Sequence, residues 1–284
     1  MRPLILGAML CVAFANAGFS QPAVRPVTGA FITEKVAFDS ASRPLGRLQE
    51  RQARERGEDP KPTPGERIEA YLKRPEGSGP FPAVVLLPRC NGFTPSVQET
   101  MPQRLASWGF VTLAVDSLAT RKVQDPCQSA AVDYFADAYG GLSYLAHLPY
   151  VDRSRISVLG IANGGRIALA LAEARASTMV VNPEKLTFKA AVAYYPECAH
   201  VSDMLVLPVL IMIGRDDQWA RARSCEELLA RRAGDGAPID LTVYPDVRHS
   251  FLEPDYMAGY NEPAAEDSLR QVRAFLTRNL GGSR

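Results

Sequence analysis

Residues 156–171 read ISVLGIANGGRIALAL. The run from Ile156 to Leu159 is short and apolar, and it stops at Gly160. After Ile161, Ala162 and Asn163 come Gly164 and Gly165, and an apolar pattern at helical spacing then begins. A strand that breaks at a glycine-rich corner and turns at once into a helix has the shape of a nucleophile elbow, G-x-S-x-G. The corner residue of an elbow is strained, and the positions two residues to either side lack side chains so that strand and helix can approach. Both glycines are present, at 160 and 164, but the centre is Ala162. A methyl group can neither attack a carbonyl carbon nor be activated by a base.

Outward from the elbow, the run Ala83 to Leu87 (AVVLL) is continuously apolar, as a parallel strand buried on both faces should be. Further strands are predicted over 111–115, 190–194, 209–213 and 239–244, with helices over about 96–108, 130–147, 164–174, 219–233 and 263–279. Two earlier segments, 30–38 and 67–73, alternate apolar and polar residues and are expected to pair with each other, antiparallel or mixed, at one edge of the sheet. Between them, residues 39–64 are charged and proline-bearing and read as a solvated insertion with a short helix near 45–55. Strands alternating with helices from residue 83 onward imply an α/β fold, a mostly parallel central sheet covered by helices on both faces. No internal repeat is present, and residues 29–284 are expected to form a single domain. Ligands of such sheets bind at the carboxyl ends of the strands. Gly92, Ala162, Asp217 and His249 all fall there.

The amino terminus, MRPLILGAMLCVAFANA, has a basic start, an apolar run from Leu4 to Ala15 and the small-x-small triplet Ala15-Asn16-Ala17. That is the pattern of a secretory signal peptide over residues 1–17, followed by a disordered lead-in over 18–28. The apolar run is short of the roughly 20 residues a membrane span requires. The mature chain is therefore expected outside the cytoplasm, periplasmic or secreted, with no membrane attachment after cleavage. Cys11 leaves with the signal, and Cys90, Cys127, Cys198 and Cys225 remain. An even number in an exported chain points to two disulfides. Cys90–Cys127 and Cys198–Cys225 are the expected pairs, because each follows neighbouring strands at the same edge of the sheet. The 32 basic and 31 acidic residues give a net charge of +1, so no electrostatic case exists for a nucleic-acid partner. No His/Cys/Asp cluster has the spacing of metal ligands.

Acyl transfer needs a nucleophile, a base, a group that orients the base, and donors for the oxyanion. In α/β-hydrolases the chain order is nucleophile, acid, histidine. Here the candidates follow the elbow in that order: Asp216 and Asp217 after one strand, His249 after the next. With these pieces the chain resembles the dienelactone hydrolase family of α/β-hydrolases. The matching segments are LLPRCNGF (86–93), LAVDS (113–117), GIANGG (160–165), AVAYYPEC (191–198), IGRDDQW (213–219) and YPDVRHSF (244–251), within residues 66–280. The resemblance implies an ester or lactone hydrolase fold and a small-molecule ester or lactone as partner, with no cofactor. It implies His249 as general base, Asp217 as the orienting acid with Asp216 as runner-up, and the backbone N–H groups of Cys90 and Asn163 as oxyanion donors.

Two departures from the family pattern stand out. Ala162 occupies the position of the Cys or Ser nucleophile, and Pro88-Arg89 stands where relatives often have His-Gly. Arg89 is a candidate to bind a substrate carboxylate at the cleft mouth, or else to pair with a surface acid. Trp219 is a candidate substrate-binding residue, and Tyr194, Tyr195 and Phe251 are candidates to line the pocket. Ser157, within a strand, and Ser250, after the histidine, are poorly placed to replace the missing nucleophile. The expectation is a hydrolase-class site with impaired covalent chemistry, or a binding protein that keeps the cleft.

Overall fold

The computed structural model describes residues 30–123, 127, 132–232 and 236–281; the expected signal peptide and lead-in lie outside them. The strands are β1 (Phe31–Asp39), β2 (Arg67–Pro75), β3 (Phe81–Leu87), β4 (Val111–Asp116), β5 (Val151–Ile161), β6 (Ala191–Tyr194), β7 (Val209–Gly214) and β8 (Ile239–Tyr244). The helices are α1 (Arg47–Glu55), α2 (Met101–Ser107), α3 (Tyr134–Ala146), α4 (Asn163–Leu171), α5 (Ala222–Arg231) and α6 (Glu262–Leu280). Among the described residues the strands form one sheet in the order β1-β2-β4-β3-β5-β6-β7-β8. The two alternating segments sit at one edge, β1 antiparallel to β2 and β2 antiparallel to β4; all other neighbours are parallel.

Consecutive buried residues along β3, β4, β6 and β7 require cover on both faces, which the helices supply. α3 and α4 pack together against β5 and β3, while α2 and α6 are joined by Arg104–Glu266 and by Arg273 over the Trp108 ring. From β3 the chain passes to β4 on one side and then to β5 on the other. The crevice beyond β3 and β5 is therefore the topological switch point, where open α/β sheets bind ligands.

Several boundaries differ from expectation for identifiable reasons. The single helix expected over 96–108 is broken: Ser96–Thr100 forms a π-type turn before α2. Pro102 in the first turn of α2 has no N–H to give, so the preceding turn cannot run on as regular α-helix. α3 starts at Tyr134, where Asp133 caps it by accepting the Ala136 N–H at 3.0 Å. α5 starts only at Ala222, because the chain after β7 first winds around the Asp217 side chain. The insertion over 39–64 is more anchored than a wet loop. Arg43 pairs with Asp133, donates to the Met179 carbonyl and bridges Thr63, while Ala53 of α1 is buried.

Candidate active site

At the end of β5, Ala162 has φ 52° and ψ −110°. This backbone is rare for a residue with a side chain, and it persists because its surroundings over-determine it. The Ala162 N–H donates to the Tyr194 carbonyl at 3.0 Å, and its own carbonyl accepts the Arg166 N–H at 3.0 Å. A Cβ on Gly160 would lie 1.9 Å from the Gly164 oxygen, and a Cβ on Gly164 would lie 2.3 Å from the Leu87 oxygen. The two glycines therefore let α4 close both onto its own strand and onto the end of β3. That contact sets the start of α4 against the end of β3, the two segments that carry Asn163 and, two residues past Pro88, Cys90. Asn163 is the first residue of α4, so its N–H has no partner within the helix. Cys90 follows Pro88, whose carbonyl lies under the same helix end.

His249 comes from the loop after β8 and Asp217 from the loop after β7. His249 Nδ1 lies 2.6 Å from Asp217 Oδ2, and the imidazole remains partly open to solvent while the carboxylate is buried. The other carboxylate oxygen accepts the backbone N–H groups of Trp219 at 2.9 Å and Ala220 at 2.8 Å. Three donors thus hold Asp217 in place. With Nδ1–H donating to it, the imidazole keeps Nε2 free to accept a proton. Asp216 is exposed, and the carboxylate hydrogen-bonded to the histidine is that of Asp217. Tyr195 links histidine and elbow: its ring meets His249 edge-on at 4.7 Å, and the residue before it accepts the Ala162 N–H.

A cavity of about 410 Å³ opens beside His249, lined by Trp219, Tyr256, Met257 and Arg248 among others. Trp219 is 84% exposed and Met257 79%, so the rim offers apolar surface to a ligand. Two expectations need correction. Arg89 is not at the cleft mouth and its partner is not a surface acid: it is buried and ion-paired with Glu253, which is fully buried. Tyr194, Tyr195 and Phe251 are fully buried in the core, where they pack ring against ring rather than facing a ligand. As expected, Ser157 is buried within β5. The two disulfides are the expected pairs, Cys90–Cys127 and Cys198–Cys225. Among the described residues no group of His, Cys, Asp and Glu is placed to hold a metal ion, and no helix is long and apolar enough to cross a membrane. Glu253 and Tyr256 escaped the sequence reading. The one signal for Glu253 was an acid four residues after the histidine, which alone carries no meaning.

A mostly parallel sheet with an elbow after β5, an acid after β7 and a histidine after β8 defines an α/β-hydrolase. A structural neighbour described as a dienelactone hydrolase-like promiscuous phosphotriesterase from metagenomic libraries superposes with a TM-score of 0.65 at 20% identity, covering 89% of this chain and all of that one. The chain belongs to the dienelactone hydrolase family, whose family model matches residues 68–280. A Bradyrhizobium protein named "Probable 2-oxo-3-(5-oxofuran-2-ylidene)propanoate lactonase" is 25% identical over 239 residues, 78% of this chain and 94% of its own length. Acyl-coenzyme A thioesterase 1 of Rattus norvegicus is 24% identical over 322 residues, covering 91% of this chain and 75% of its own.

Proposed function

We propose that this protein is an exported member of the ester and lactone hydrolase class in which the covalent route is disabled at Ala162. What remains is a histidine–aspartate pair that activates water. The observation that carries this reading is the His249–Asp217 hydrogen bond, with Asp217 held by two further backbone donors. In the proposed reaction His249 Nε2 takes a proton from a water molecule as its oxygen attacks the carbonyl carbon of a small ester or lactone. The N–H groups of Cys90 and Asn163 receive the oxyanion. As the tetrahedral intermediate collapses, the bond to the leaving oxygen breaks and His249 returns the proton to it, releasing acid and alcohol. Ala162 leaves space where a nucleophile's oxygen would stand. Without a nucleophile such a site retains roughly 10³–10⁴-fold catalysis over water in the best-studied hydrolase, a weak activity.

The exposed apolar rim at Trp219 and Met257 favours a second reading, a binding protein that keeps the cleft. A panel of chromogenic short-chain esters and lactones separates the two. Slow hydrolysis by the unmodified protein, abolished in His249→Ala and raised at least a hundredfold in Ala162→Ser, is the expected result. A silent unmodified protein beside an active Ala162→Ser variant leaves the binder. Export is supported by the leader pattern and by the two disulfides. Sequencing the mature amino terminus is expected to start at Gly18, and a chain that starts at Met1 overturns it.

A further inference from the structure

Beneath His249 lies a cluster of buried polar groups that the proposed reaction does not use. Glu253 is fully buried, and its carboxylate is ion-paired with Arg89, itself buried. The same oxygen accepts the Tyr195 hydroxyl at 2.8 Å, and the other accepts the Thr94 hydroxyl at 3.2 Å. Arg89 Nη2 also donates to Ser250 Oγ at 3.0 Å, and the guanidinium lies 3.7 Å over the Tyr256 ring. Three of these residues are next to, or against, a residue of the site. Arg89 directly precedes Cys90, Ser250 directly follows His249, and the Tyr195 ring touches the imidazole at 4.7 Å. Tyr195 and Ser250 both have left-handed backbones, φ 37° and 66°, so neither would stay in place without support.

We propose that Glu253 is a positioning residue. Through Tyr195 it fixes the His249 imidazole, and through Arg89 it fixes the loop that presents the Cys90 N–H, holding base and oxyanion donor in one frame.

The physical argument is one of geometry rather than stability. Taking two charges out of water is costly, and their attraction offsets this only in a close, well-aligned geometry. A buried pair is therefore weak evidence for stability but tolerates few arrangements. Burial, and then the charge of Glu253, push the Tyr195 hydroxyl well above its ordinary range, so it stays protonated and donates. Asp217 holds Nδ1 and the edge-on Tyr195 ring supports one side, so the imidazole is constrained at two points and Nε2 is given a heading. Misplacement of about 1 Å can cost on the order of a hundredfold in rate.

The proposal rests on the His249–Asp217 pairing of the preceding section, so its test includes a readout independent of turnover. The Nδ1 proton shared by His249 and Asp217 gives a low-field proton resonance in the folded protein, assigned by its loss in His249→Ala. Tyr195→Phe removes one oxygen from a ring that stays packed, and Glu253→Gln removes the charge while keeping hydrogen-bonding atoms. Both are expected to shift or broaden that resonance while the thermal midpoint moves little. In an Ala162→Ser background both should lower kcat about tenfold or more with KM nearly unchanged. If either substitution unfolds the chain, Arg89→Met with Glu253→Leu removes both charges together and is read in the same way. A resonance unchanged in the folded variants overturns the proposal alone. Absence of the resonance from the unmodified protein overturns the paired-histidine reading along with it.

Discussion

Ala162 holds a backbone that costs a non-glycine residue about 1–3 kcal/mol. Replacing it by glycine removes that strain but adds about 0.4–1 kcal/mol of freedom to the unfolded chain. Ala162→Gly is therefore expected to stabilise the protein by about 1 kcal/mol and to raise Tm by roughly 2–4 °C in thermal unfolding. An unchanged or lower Tm would mean that the surroundings do not enforce the conformation. His249 and Asp217 were legible at this scale because each follows a strand end in hydrolase order. Whether Asp217 or Asp216 lies against His249 depends on which carboxylate the turn buries, and the Trp219 and Ala220 N–H groups hold that of Asp217 there. Arg89 was misread because its partner lies 164 residues away, and nothing local to Arg89 indicates it.

The strands were legible as elements, since continuous apolar runs mark those buried on both faces and alternation marks β1 and β2. Helix ends were less so. They depend on single groups, such as the missing N–H of Pro102 and the Asp217 carboxylate that delays α5. The disulfides tie elements together differently. Cys198–Cys225 joins the loop after β6 to α5 with both residues fully buried, whereas Cys127 is exposed and Cys90 half-buried. Mild reductant followed by mass-tagging of thiols should label Cys90 and Cys127 first; simultaneous labelling of all four would refute this order. Cys198→Ala with Cys225→Ala is expected to cost about 3–4 kcal/mol in denaturant unfolding, from the 27-residue loop it closes.

For the whole molecule, the mostly parallel sheet was legible because strand–helix alternation restricts how a chain can wind; the strand order, and with it the switch point, came only from the structure. The anchoring of the 39–64 insertion was not, since it rests on Arg43 reaching Asp133 across 90 residues. That contact has a pH signature. Burial pushes the Asp133 carboxyl up, but Arg43 and the Ala136 N–H outweigh it and hold it below the ordinary range. Gln271 and Tyr244 do the same for Asp267, and Ser154, with Arg155, for Asp152. A carboxyl whose folded pKa is depressed contributes stability above its unfolded pKa, and that contribution fades as pH falls through the folded value. Tm is therefore expected to fall from about pH 4 downward, near the unfolded aspartate value. Arg43→Ala should lie below the parent at neutral pH and converge on it in acid. A gap that stays constant with pH would remove Asp133 from the account.

The close approaches that shape the elbow at Gly160 and Gly164 are to backbone oxygens, those of Gly164 and Leu87. The corner is thus a socket whose form does not depend on its occupant. Every alanine codon becomes a serine codon by a change in its first base. The distance between this chain and one carrying a hydroxyl at that corner is a single nucleotide, in either direction.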